Sequence, residues 1–120
     1  MTLSHIIAVG LGGMIGAMAR YGLSSIIGGH AVLFANIAGC FLIGCLISFF
    51  ALKTSTSQAV YLFLTIGLLS SFTTFSAFSL ETMALIDSQK YAHAAIYTMT
   101  SVGGGLIAFI FGRAVVKTLL

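Results

Sequence analysis

The stretch Ser70-Ser71-Phe72-Thr73-Thr74-Phe75-Ser76-Ala77-Phe78-Ser79-Leu80-Glu81 concentrates the polar chemistry of this chain. Seven of its twelve side chains carry a hydroxyl or a carboxylate, and three of the others are phenylalanines. The stretch lies in the second half of an apolar run that begins near Ala59. An unpartnered polar group in hydrocarbon costs several kcal/mol, so such residues must face a protein interior or a water-filled path. Serine and threonine in a row also compete with the helical backbone for hydrogen bonds. Ser70 to Ser76 is therefore a predicted helix break, whose freed carbonyls are ligands of the kind that hold a cation. If helix resumes after it, Phe75 and Phe78 share a face, and Ser76 and Ser79 form a hydroxyl track beside them. Core aromatics and hydroxyls bonded to their own helix are the plainer alternatives.

Three other groups stand out against apolar surroundings. Asn36 is the one amide in the spanning segments, suited to an interhelical hydrogen bond or to an N–H donor aimed at an anion. Arg20 lies a turn or two inside the end of the first segment, where it either snorkels to the interface or serves a pathway. Tyr97 and Ser101 lie at i and i+4 in the last segment, with Thr98 and Thr100 nearby.

The elements that must position these residues follow from composition. The chain has 120 residues, 59% hydrophobic and 6% charged, with a mean hydropathy of +1.16. Soluble domains carry about 25% charged residues. The reading is an all-α integral membrane protein forming one domain over residues 1–120. Four apolar segments at about 3–27, 31–52, 59–86 and 93–116 each reach the roughly 20 residues that cross a bilayer as a helix. The third is expected to be broken near its middle. No ten-residue alternation suggests a β-barrel. Short connections put both termini on one side. No cleavable signal is evident, so the first segment is expected to remain in the mature protein. Gly12 and Gly16 form a G-x-x-x-G that allows close helix approach, and Gly39 and Gly44 suggest another contact.

Several classes are excluded or disfavoured. The net charge of +3 is scattered and makes no nucleic-acid patch. Cys40 and Cys45 form no C-x-x-C and read as packing residues. There is no paired carboxylate and no His/Cys cluster for an enzyme. The basic residues Lys53, Arg113 and Lys117 on the terminus side, against Arg20 and Lys90 opposite, lean toward cytoplasmic termini.

The chain resembles the small fluoride-channel family called Fluc or CrcB. Three motifs in order carry the resemblance: Gly12-Gly13-x-x-Gly16-Ala17-x-x-Arg20-Tyr21, Asn36-x-x-Gly39-x-Phe41-x-x-Gly44, and Thr73-Thr74-Phe75-Ser76-x-Phe78-Ser79-x-Glu81. It implies a passive fluoride-selective channel of the plasma membrane that exports cytoplasmic fluoride. Two subunits would pair antiparallel to form two pores. The family's pore phenylalanines fall on Phe75 and Phe78 and its pore asparagine on Asn36. Its polar track falls on Ser76 and Ser79, joined by Tyr97 and Ser101, with Arg20 near the pore entrance. A structural Na⁺ would be held by the backbone carbonyls of Ser70 and Thr73.

Two departures accompany the match. Ser70-Ser71 stands where the family usually has Gly-Gly, and Gly tolerates positive φ more readily than Ser. Ala77 replaces a common Thr. The physics of the ion suits the residues. Fluoride is small and strongly hydrated, so a pore must replace its water with donors such as Asn36, Ser76, Ser79 and Tyr97. The positive ring edges of Phe75 and Phe78 add to these, without a full charge to trap the ion. An alternative is one subunit of an obligate heterodimer with a paralogous partner. A small multidrug-type transporter would need a glutamate in the first helix, and segment one has no acidic residue.

Overall fold

A computed structural model describes the chain from Met1 to Leu120, and it is all-helical. Thr2 caps the first helix, its hydroxyl accepting the His5 N–H at 3.4 Å. Helix α1 then runs Leu3–Ile27. It ends where Gly28 takes φ +58° and ψ −130°, a conformation open to glycine and strained for a residue with a Cβ. A 3₁₀ turn over Gly28–His30 leads into α2, Ala31–Leu52. The third segment is composite. It comprises α3 (Gln58–Leu62), a π-helix (Phe63–Leu69), the single turn α4 (Ser70–Phe72) and, past a break, α5 (Phe75–Asp87). The last helix, α6, is Tyr91–Leu119.

Three runs are long and apolar enough to cross a membrane: Leu3–Leu52, Gln58–Asp87 and Tyr91–Leu119. The chain is a multi-pass membrane protein. The apolar segments of the sequence coincide with these helices to within a few residues, and the break falls at Thr73-Thr74.

The interior confirms lipid as the solvent. Large apolar side chains such as Leu3, Met18, Ile26, Leu106 and Ile107 lie outside, while the buried set is mostly Gly, Ala, Ser and Thr. Hydrocarbon removes the gain from burying large side chains, and close backbone packing takes its place. Two crossings hold the molecule. Helix α1 lies on the first half of the third segment, and α2 lies along α6. A Cβ at Gly67 would sit 2.8 Å from the Val9 carbonyl oxygen and 2.9 Å from Gly12 Cα, so only glycine fits there. At the second crossing, Gly44 abuts the Phe109 backbone and Gly112 abuts the Phe41 backbone in the same way.

Candidate functional site

The break is two extended residues in a helical run: Thr73 at φ −80°, ψ 157° and Thr74 at φ −154°, ψ 117°. Extended backbone at membrane depth must find hydrogen-bond partners outside its own helix. Asn36 of α2 provides them. Its Oδ1 accepts the Thr74 N–H at 2.7 Å, and its Nδ2 donates to the Thr74 carbonyl at 3.0 Å. One amide side chain thus acts as a one-residue strand. The Thr73 N–H and hydroxyl both donate to the Leu69 carbonyl at 3.0 Å, which ends α4. The Thr74 hydroxyl accepts the Ala77 N–H at 3.1 Å, which starts α5.

Arg20 reaches this break. Its Nε donates to the Ser71 carbonyl at 3.2 Å, tying α1 to the open end of α4. Ser70 and Ser71 keep helical backbone, with Ser70 at φ −66° and ψ −29°. Positive φ occurs only at Gly28 and Gln89, so glycine is not required at the Ser-Ser pair. The Ser70 hydroxyl instead donates to the Thr65 carbonyl at 3.0 Å, within the π-helix.

The break polarises its surroundings. The carbonyl end of α4 is negative and the N–H end of α5 is positive, so potentials of opposite sign adjoin at the break. A cavity of about 280 Å³ beside the carbonyl end is lined by Ser70, Thr73, Thr74, Asn36, Cys40 and Phe75, among others. Hard backbone oxygens are the donors that Na⁺ takes, and no group of three His, Cys, Asp or Glu offers an alternative metal cage. Ser70 and Thr73 both line this cavity, so a Na⁺ bound there would have backbone oxygens of this kind within its lining residues.

On the α5 side a second cavity, about 300 Å³, shares Asn36, Cys40 and Phe75 with the first and adds Phe78 and Ser101. Neither lysine nor arginine lines it. The two phenyl rings stand 5.4 Å apart, but they differ in setting: Phe78 is 8% exposed and Phe75 is 76% exposed. Phe78 stacks on Tyr97 at 5.5 Å. The Tyr97 hydroxyl donates to Glu81. Beyond this ring pair a wider cavity of about 640 Å³ is lined by Tyr97, Glu81, Thr100, His30 and His93. Ser101 differs from every neighbour. Its hydroxyl is buried and has no hydrogen-bond partner.

Of the residues singled out in the sequence, Asn36, Phe75, Phe78 and Ser101 meet at one cavity, and Tyr97 stands at its edge. Ser76 and Ser79 are not among its lining. Ser76 is exposed with its hydroxyl 3.2 Å from that of Thr74, and the Ser79 hydroxyl donates to the Phe75 carbonyl at 3.0 Å. Cys40 lines both cavities and the Thr74 backbone meets Asn36. Neither role was drawn from the sequence, because both depend on which helices become neighbours.

Residues 7–113 match the family described as CrcB-like protein, Camphor Resistance (CrcB). A Listeria monocytogenes protein named fluoride-specific ion channel FluC 2 is 38% identical over 97% of this chain and 93% of its own length. A Granulibacter bethesdensis protein named fluoride-specific ion channel FluC is 43% identical over 92% of this chain and 90% of its own. In Nitrobacter hamburgensis the protein named fluoride-specific ion channel FluC 1 is 37% identical over 99% of this chain and its own full length. The matches span the motifs around Gly12, Asn36 and Thr73, whose residues build both glycine crossings and the break, and on these grounds the chain belongs to the CrcB family.

Proposed function

We propose that this chain is a passive, fluoride-selective channel of the plasma membrane that exports cytoplasmic fluoride. It works as an antiparallel dimer with two pores. The names of the three relatives support fluoride as the ion, and membership in their family makes the chain a channel and not an enzyme. The observation that carries the reading is the Ser101 hydroxyl, buried and unpartnered at an uncharged cavity it shares with Asn36, Phe75 and Phe78. Leaving such a group unsatisfied costs about 1–3 kcal/mol. A small anion passing through would accept its hydrogen bond. Asn36 has a second N–H beyond the one given to Thr74, and the ring edges of Phe75 and Phe78 add positive potential. No full charge holds the ion in the cavity, so it can leave.

Four crossings fit this reading better than three. A straight helix over Leu3–Leu52 would measure about 75 Å, against a longest molecular dimension of 52 Å. Gly28 supplies the reversal. The exposed Phe75 and Ser76 favour a second copy, which would enclose them together with Ser79 and turn the exposed hydroxyls into a track. In such a dimer the carbonyls of Ser70 and Thr73 from both copies would hold one Na⁺. The ion, when bound, supplies the positive charge that balances the carbonyl ends of α4. Arg20 would position the break through Ser71 and raise anion concentration near the pore.

Fluoride efflux from liposomes containing this chain alone, with chloride as control, tests the reading. Fast fluoride efflux without chloride efflux is expected. Equal efflux of both ions removes the selective channel. Silence from folded protein, relieved by a co-expressed paralogue, would move the assignment to a heterodimer.

A further inference from the structure

A cavity at the opposite end from His30 and Glu81 shares no lining residue with the two cavities at the break. About 400 Å³ in volume, it lies between the last turns of α2 and the start of α3. Its apolar lining is Ile47, Phe50 and Ala51. Its polar lining is Lys53, Thr56 and Gln58 at the helix ends, with Tyr61 a turn further in. The 22 residues of α2 measure about 33 Å, close to the hydrocarbon thickness. Lys53, Thr56 and Gln58 at the helix ends therefore lie at the headgroup level, and Ile47 and Phe50, one turn or more inside α2, at the level of acyl chains. The Phe50 and Tyr61 rings meet edge to face at 5.2 Å and fix the shape of the wall.

Charge decides the occupant. Lys53 has no carboxylate partner, and its ammonium stands 6.0 Å from the Phe49 ring centroid. The chain has only two acidic residues, Glu81 and Asp87, both at or beyond the far half of α5. No carboxylate lines this cavity, and Lys53, Thr56, Gln58 and Tyr61 all carry donors. A site with a cation and donors at headgroup level and an apolar wall below fits a phosphate joined to an acyl chain.

We propose that this groove binds one anionic phospholipid per chain. Its phosphate sits at Lys53, Thr56 and Gln58, and an acyl chain lies along Ile47 and Phe50. The test needs no ion flux, so its failure is separate from failure of the channel reading. The full chain in detergent is titrated with phosphatidylglycerol, phosphatidylcholine or inorganic phosphate, and bound adducts are counted by native mass spectrometry. Phosphatidylglycerol should bind about fivefold more tightly than phosphatidylcholine, the preference one lysine supplies near a membrane surface. Lys53→Gln should abolish that preference and Lys53→Arg should keep it, both on an exposed residue whose change leaves the fold intact. Equal binding of the two lipids, or a preference that survives Lys53→Gln, overturns the proposal. Saturation by phosphate alone would overturn the lipid assignment.

Discussion

Ser101 separates a structural role from a transport role by the sign of its effect. Ser101→Ala removes a buried hydroxyl that has no partner in the resting chain. Thermal stability in detergent should hold or rise, because an unsatisfied donor is deleted. Fluoride flux should fall. A stability loss above about 1 kcal/mol would mean that the hydroxyl is bonded at rest after all. Asn36 is the reverse case. Asn36→Ala leaves both the Thr74 N–H and its carbonyl without partners and should destabilise by about 2–4 kcal/mol. Flux lost with stability unchanged would contradict that bonding. Phe78→Leu keeps an apolar side chain but loses the ring edge and the stack on Tyr97. Such ring interactions are worth about 0.5–1.5 kcal/mol, so flux should drop by up to about tenfold. A purified variant with unchanged flux removes Phe78 from the pore.

At the scale of elements, the sequence was legible wherever the physics is local. Apolar runs gave the ends of α1 and α2 because a helix in lipid ends where its apolar residues end. The hydroxyl run placed the break near Thr73, because those side chains compete for backbone bonds nearby. What stayed hidden was relational. Asn36 could be read as a polar group in need of a partner, but not as the partner of Thr74, 38 residues away. Arg20 could not be aimed, because its target is a carbonyl present in every residue. Ser76 and Ser79 share a spacing with the phenylalanines, yet they do not line the cavity that the rings line, and their hydroxyls bond to Thr74 and to the Phe75 carbonyl. Gly12, Gly16 and Gly44 were marked by spacing, Gly67 and Gly112 were not, and the crossings give all of them a steep requirement. Gly44→Val and Gly112→Val should each prevent α2 from lying on α6 and abolish folded protein on size-exclusion chromatography. Gly10→Val, where a side chain meets nothing within 4 Å, is the control that should leave folding unchanged.

For the whole molecule, the distribution of basic residues decides which way it faces. Lys53, Arg113 and Lys117 against Arg20 and Lys90 is a narrow margin, and the Arg20 Nε is hydrogen-bonded at the break. A chain with so little bias can insert in both orientations, as an antiparallel homodimer requires. In a Cys40→Ala, Cys45→Ala background, Ser55→Cys should react with an impermeant maleimide on roughly half of the molecules from either side of the membrane. Labelling confined to one side would rule out the homodimer and leave the paired-paralogue arrangement.

The π-helix over Phe63–Leu69 has a consequence for what kinds of change this family member can absorb. Such a segment is an α-helix carrying surplus chain, closed by i→i+5 bonds. Removing one residue there would let ordinary α-helix form, so the deletion need not unfold the segment. The surplus is taken up within the bulge, so its removal leaves the phase of the downstream helix nearly unchanged and keeps Ser71 at Arg20 and Thr74 at Asn36. The same deletion in the middle of a regular helix such as α1 would turn the rest of that helix by about 100° about its axis. A change of length that resets the phase of an ordinary helix is absorbed in this stretch.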